Sequence, residues 1–273
     1  MVYLHGGPGG YSYDFAALAG PRLEPALRMV YFDQRGSGHS ERPWTQAYSM
    51  DALVEDVEGL RRALGVPKIA LLGHSFGVAL ALEYAARYPA HVSRMVLAGG
   101  LSDAAASGRS MCLRLAEVNP EAYARARAAA GSASSADPGA CKVFEALSGA
   151  DAQAFLQANM YPDARIQALR DSVKAASGLR HTGELSRALF AAGLTEWRFT
   201  AFDRLTMPVL VIAGQHDYQV GLEAPRELAR SLPQGQLRVY ERGGHHMYLD
   251  EPERFAREVI GFLRESPNQG VKR

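Results

Sequence analysis

Ile69 to Leu72 form a short apolar run that passes through Gly73-His74-Ser75-Phe76-Gly77 directly into a helix-like segment, Val78 to Tyr88. Few five-residue words restrict a fold so tightly. A G-x-S-x-G sequence between a strand and a helix requires a sharp turn that lifts the serine above the sheet edge, beside a base and next to backbone donors. Small residues at both ends of the motif let strand and helix backbones approach each other. The flanking runs therefore predict a strand, a nucleophilic Ser75 and a helix, in that order.

The rest of the chain supplies the sheet in which such a turn is found. Val2-Tyr3-Leu4 is a short strand running into His5-Gly6-Gly7-Pro8-Gly9-Gly10, a turn too rich in glycine for regular structure. Leu27 to Phe32 is the next apolar run, ahead of the loop Asp33-Gln34-Arg35-Gly36-Ser37-Gly38-His39-Ser40. Within Met50 to Leu64, the residues Leu53, Val57, Leu60 and Leu64 recur at helical spacing, and Gly65-Val66-Pro67 stops that helix. A buried strand is expected at Met95–Ala98 and further strands at 208–213 and Leu237–Tyr240, with helices over Ala224–Ser231 and Pro252–Leu263. Strands alternating with helices imply an α/β fold, a mostly parallel sheet covered by helices on both faces. Residues 101–204 break the rhythm with alanine-rich helical segments, interrupted at Gly131-Ser132-Ala133-Ser134-Ser135 and Asp137-Pro138-Gly139. That segment reads as a helical cap inserted between two parts of one core, residues 1–100 and 205–273.

Composition narrows the function. Lys+Arg number 30 against 29 Asp+Glu, and no basic stripe interleaves with aromatic residues, so nucleic acid is not an expected partner. No long apolar stretch and no secretory leader pattern is visible, so a cytoplasmic protein without a membrane partner is expected. Cys112 and Cys141 lack metal-ligand spacing and are expected to be reduced and structural; no metal site and no cofactor are implied.

A serine nucleophile needs a general base, and the base needs an acid that fixes its tautomer and stabilises the imidazolium. Downstream of Ser75, the strand 208–213 ends in Gly214-Gln215-His216-Asp217, placing Asp217 at the carboxyl end of a strand, where ligands bind in open α/β sheets. The strand Leu237–Tyr240 is followed by Gly243-Gly244-His245-His246, and His245, directly after Gly244, is the favoured base, with His246 as a pocket residue. Asp103 is an alternative acid on the same sheet edge, its other reading being the N-cap of the following helix. Phe76 N–H and the Gly7 N–H in the first glycine loop are the expected oxyanion donors.

These motifs resemble the α/β-hydrolase superfamily and, within it, the proline iminopeptidase group: His5-Gly6-Gly7-Pro8-Gly9, Asp33 to Ser40, Gly73 to Gly77, and the Asp217 and His245 loops. The resemblance implies an acyl-enzyme mechanism with Ser75, Asp217 and His245, an oxyanion hole from Gly7 and Phe76, and a small-molecule or short-peptide substrate. It also implies a cap carboxylate that binds the substrate's α-ammonium group, for which Glu196 is the candidate; Gly6, Tyr218 and His246 are further candidate substrate contacts. Two departures stand out. Tyr218 occupies the position after the acid where certain relatives carry a glutamate, and only Met1 to Leu4 precede the first glycine loop where relatives carry a β-hairpin, so that either the hairpin is lacking or the given start is internal to a longer chain. In the first case an exposed apolar surface at that edge and a homodimer through it are expected. An aminopeptidase or small-amide hydrolase is the leading expectation, with a carboxylesterase or lactonase as the alternative; the triad chemistry is common to both.

Overall fold

A computed structural model of the chain describes residues 1–45, 47–131, 141–147, 149–179 and 183–265. The elements run β1 (Val2–Leu4), α1 (Tyr13–Leu18), α2 (Gly20–Leu23), β2 (Val30–Phe32), α3 (Met50–Ala63), β3 (Ile69–His74), α4 (Phe76–Arg87) and β4 (Val92–Ala98). The inserted part holds α5 (Ala104–Val118), α6 (Pro120–Ala130), α7 (Val143–Ala146), α8 (Gly149–Met160), α9 (Ala164–Ser177) and α10 (Glu184–Ala191). The core then resumes with β5 (Val209–Gly214), α11 (Glu223–Ser231), β6 (Gly235–Tyr240), α12 (Met247–Asp250) and α13 (Pro252–Arg264).

All strand pairings are parallel, in the order β2-β1-β3-β4-β5-β6. Because side chains alternate across a strand, a sheet covered on both faces has apolar residues at every position. Strand β4 shows this: Met95 and Leu97 enter one buried cluster with Leu71, Val209 and residues of α3 and α4, whereas Val96 and Ala98 enter the other with Tyr3, Leu72, Ile212 and residues of α13. Truncating a fully buried residue such as Leu71 would cost about 2–5 kcal/mol.

Local signals explain the helix limits. Ser49 caps α3 by accepting the Ala52 N–H at 3.1 Å, and the helix stops before Gly65, whose φ is +65°. Pro252 opens α13, which buries Phe255, Val259 and Phe262. Helix α4 is buried on almost every side, consistent with its run of small and apolar residues. Glycine is required there by contact: a methyl group on Gly77 would lie 2.0 Å from the Leu4 carbonyl oxygen, and one on Gly73 would lie 2.6 Å from the Gly77 oxygen.

The strand expected at Met95 begins three residues earlier, at Val92, because the polar Ser93 and Arg94 lie at its more exposed end, where pairing rather than burial holds the chain. Helices α1, α2 and α12 are too short to show a clear period in the sequence. The cysteines correct a second expectation. Cys112 and Cys141 form a disulfide with Cα atoms 5.9 Å apart. Helices α5 and α6 double back so that both residues meet in the cap's own apolar cluster, beside Leu115, Ala122 and Val143, a proximity that a separation of 29 residues does not reveal. Among the described residues, no helix is long and apolar enough to cross a membrane.

Candidate active site

Strand β1 lies between β2 and β3, so the loops leaving β1 and β3 emerge side by side at the sheet's carboxyl edge. The β3 loop carries Ser75, the one non-glycine residue with positive φ among the described residues (φ +55°, ψ −123°). Such a backbone costs about 1–3 kcal/mol and persists only where its surroundings impose it. Here Ser75 N–H donates to the Ala98 carbonyl at 3.1 Å, and the Ser75 carbonyl accepts from Val78 at 3.0 Å and Leu101 at 3.1 Å. Phe76 stands at the first position of α4, where a backbone N–H has no partner within the helix.

The first glycine loop presses directly on this turn. A methyl group on Gly6 would lie 2.8 Å from Ser75 Cβ and 3.3 Å from its Oγ. The loop is held from behind by His5, whose Nδ1–H donates to the Gly6 carbonyl at 2.8 Å while its Nε2 accepts from Gln34 N–H at 3.0 Å. Gln34 returns a second bond, Nε2–H to the His5 carbonyl at 2.9 Å. Asp33 in turn accepts from Ser12 N–H and Oγ–H at 2.7 and 2.8 Å and from His39 N–H at 2.8 Å. The 33–40 segment is therefore the scaffold of the glycine loop. Its Arg35 faces away, donating to both oxygens of Asp56 in α3 at 2.6 Å.

Asp217 and His245, on the loops after β5 and β6, are 3% and 4% exposed, and His245 Nδ1–H donates to Asp217 Oδ2 at 3.0 Å. The other Asp217 oxygen accepts Gln219 N–H at 3.0 Å and Val220 N–H at 3.1 Å. With Nδ1 engaged, Nε2 is the nitrogen left for a proton from elsewhere. The pair abuts the serine turn: a methyl group on Gly99, at the end of β4, would lie 3.0 Å from the His245 carbonyl and 3.2 Å from Asp217 Oδ2. His74, next to the serine, donates its Nε2–H to the His245 carbonyl at 2.8 Å. Burial, and then the His245 charge, push His74 well below the usual histidine range, so it is a neutral strut. Its part in the site exceeds the packing role that its position in the motif suggests.

The remaining candidates divide. His246 is buried, stacked on Tyr161 with ring centroids 4.8 Å apart, and kept neutral by burial and by the Arg170 charge. Tyr218 is half-buried beneath the Arg114 guanidinium, 4.3 Å from its ring centroid. Asp103 caps α5 through Ala106 N–H at 2.9 Å and pairs with Arg198 at 3.3 Å, which favours its capping reading over the acid one. Glu196 departs from expectation. It is exposed on the 3₁₀ turn Leu194–Glu196, because the neighbouring Trp197 turns inward to donate its indole N–H to Glu83 at 3.0 Å.

Sequence reasoning did not find Asp14 or Arg170. Asp14 is 2% exposed in α1, and Arg170 of α9 pairs with it through Nε. Asp14 looks like an ordinary first-turn acid in the sequence, and Arg170 like one of many surface arginines.

The chain belongs to the α/β-hydrolase fold family, which matches residues 1–252. Within it, the protein is proline iminopeptidase-like. It is 25% identical to a proline iminopeptidase of Thermoplasma volcanium, over 97% of this chain and 89% of that protein. It is 29% identical to a 2-hydroxymuconate semialdehyde hydrolase of a Pseudomonas species, over 97% and 87% respectively. The crystal structure of a proline iminopeptidase-related protein from Thermus thermophilus superposes with a TM-score of 0.77 at 28% identity, covering 96% of this chain and 88% of that one. These likenesses support a hydrolase and leave its substrate to the site.

Proposed function

We propose that the protein is a serine hydrolase that works through an acyl-enzyme, with Ser75 as nucleophile, His245 as base and Asp217 as acid. The observation that carries this reading is the buried His245–Asp217 hydrogen bond beside a serine held at φ +55°. His245 Nε2 takes the Ser75 proton as Oγ attacks the substrate carbonyl, and the imidazolium so formed is stabilised by the Asp217 carboxylate. Phe76 N–H and Gly7 N–H receive the oxyanion. His245 returns the proton to the leaving group, and water then deacylates Ser75 by the same route. No step calls for a metal or an organic cofactor.

The preferred substrate is a small neutral acyl ester or lactone. An aminopeptidase needs a carboxylate for the substrate ammonium group, and neither of two carboxylates weighed for that task, nor the position after Asp217, supplies one. Glu196 is exposed, Asp14 is neutralised by Arg170, and the position after Asp217 is Tyr218 with an arginine over its ring. Likeness to proline iminopeptidases favours the second reading, cleavage of an N-terminal residue from a short peptide.

Comparing turnover of p-nitrophenyl acetate with that of L-prolyl and L-alanyl arylamides decides between the two, with Ser75→Ala as blank. Ester turnover with negligible arylamide turnover is expected, and Ser75→Ala is expected to lose about 10⁴-fold or more in kcat. A fully active Ser75→Ala would remove the mechanism; efficient prolyl arylamide cleavage would replace the substrate class.

A further inference from the structure

The peptide unit of His245 is gripped from two sides. His74 of the core holds its carbonyl, and the cap holds its N–H, which donates to the Met160 carbonyl at 3.2 Å. Met160 ends α8, and the next two residues continue the contact. Tyr161 stacks on His246 with an interplanar angle of 8°, and Pro162 covers Gly244 so closely that a methyl group there would lie 2.4 Å from Pro162 Cδ. The segment Met160-Tyr161-Pro162 is thus built against three consecutive residues of the base's loop.

A charge joins that segment to the core, alongside the partly buried Ile166 of the next helix. Helix α9, which follows it, has no buried residue of its own. Its Arg170 nevertheless reaches the core, donating Nε–H to buried Asp14 of α1 and Nη1–H to the Tyr161 hydroxyl. The second Asp14 oxygen is fixed by Phe15 N–H at 2.8 Å, so the carboxylate is anchored in the helix that follows the glycine loop. A planar guanidinium can bind two partners in fixed directions at once, which an ammonium group cannot do equally well. A paired charge of this kind gives little net stability compared with apolar packing, but its geometry is specific.

Resting on the assignment of His245 as the base, we propose that Arg170 is a positioning residue for it. Through Tyr161, Arg170 sets the Met160–Pro162 segment and so fixes where the His245 ring stands relative to Ser75. The cap on this view is a fixed brace for the catalytic base.

The experiment measures kcat and KM for p-nitrophenyl acetate in Arg170→Met, Arg170→Lys and Tyr161→Phe, with thermal unfolding of each. Arg170→Met is expected to lower kcat roughly 10- to 100-fold with KM within about threefold, since a small misplacement of a catalytic group can cost that much. Arg170→Lys is expected to recover part of the loss. Tyr161→Phe removes one hydroxyl and keeps the fold and the Asp14 pair; a kcat drop of roughly three- to tenfold is expected, with Arg170→Met/Tyr161→Phe no slower than Arg170→Met alone. Wild-type kcat in Tyr161→Phe overturns the proposal, even if Arg170→Met fails to fold. So does a loss confined to KM that is larger for an ester carrying a carboxylate, such as p-nitrophenyl succinate, because Arg170 would then be contacting substrate. Ser75→Ala separates the two levels: an inactive Ser75→Ala beside a fully active Tyr161→Phe removes the positioning role and leaves the triad standing.

Discussion

Two histidine–carboxylate pairs among the described residues have nearly identical lengths, and one of the two holds the proposed base for Ser75. His245 Nδ1 meets Asp217 Oδ2 at 3.0 Å, and His91 Nδ1 meets Glu58 Oε2 at 3.1 Å. Their surroundings differ in kind. Glu58, 1% exposed in α3, also accepts two bonds from Arg61 at 2.7 and 2.9 Å, one from Arg62 at 3.0 Å and one from the Tyr84 hydroxyl at 2.9 Å. Among the described residues, Asp217 receives neutral donors besides its histidine, the N–H groups of Gln219 and Val220. Two guanidinium groups already pair with Glu58, so its charge is compensated without His91. In the proposed mechanism Asp217 is the partner of the His245 imidazolium, and among the described residues no guanidinium is bonded to it. A short histidine–carboxylate contact is therefore insufficient as a signature of a base; absence of competing cations and a nucleophile within reach complete it.

Removing each carboxylate's charge should separate the two pairs by readout. Asp217→Asn is expected to lower kcat by about 10⁴-fold, because an amide no longer favours the Nδ1–H tautomer or the imidazolium, while stability changes little. Glu58→Gln is expected to leave kcat within about threefold and to reduce unfolding free energy by about 2–4 kcal/mol, since it strands Arg61, which is largely buried, without its partner. Esterase rates and urea unfolding on the two variants test both halves. A stable but inactive Glu58→Gln would erase the distinction drawn between the pairs.

Acid sharpens the same contrast. Hydrogen bonds from Arg61, opposed by burial and joined by those from Tyr84 and Arg62, hold the Glu58 carboxyl far below the usual glutamate range. A carboxyl whose folded-state pKa is depressed adds stability that is complete above its unfolded value of about 4.3 and is lost as pH falls towards the folded value. Wild-type and Glu58→Gln unfolding free energies should therefore differ most near neutral pH and begin to converge below about pH 4. Asp250 has the opposite sign. Burial pushes it up to about 6, against the Gly244 N–H that it accepts at 2.7 Å. Its stabilising contribution is present below the unfolded aspartate value and disappears as pH rises through about 6, so Asp250→Asn should flatten the stability profile between about pH 4 and 6.

Most of the core side of this comparison was legible in the sequence, and most of the cap side was not. Ser75, Asp217 and His245 each follow a strand, and glycines near them mark where backbone must turn, so periodicity and punctuation place all three on one edge. The Glu58 cluster is half legible, since Arg61 and Arg62 follow at helical spacing, whereas Tyr84 and His91 arrive from other elements. The cap offers no such local record. Arg170 and Asp14 are 156 residues apart, and the disulfide joins Cys112 in α5 to Cys141 in the segment between α6 and α7. Contacts of that sort join positions far apart in the sequence, which no local pattern encodes.

A third carboxylate completes the series and has the smallest expected effect. Glu196 has neither the arginines of Glu58 nor the enclosure of Asp217; it stands exposed on a turn whose inward-facing residue is Trp197. In water, a charge at such a place interacts weakly with anything beyond a Debye length of about 8 Å at physiological ionic strength. Glu196→Gln should therefore leave kcat/KM for p-nitrophenyl acetate within about twofold, and it should alter L-prolyl arylamide cleavage no more than ester cleavage. The informative result is the second one. A selective loss of arylamide turnover in Glu196→Gln would mean that the cap closes over bound substrate and carries this carboxylate inward, which would restore the aminopeptidase reading and contradict a cap braced in one position by Arg170.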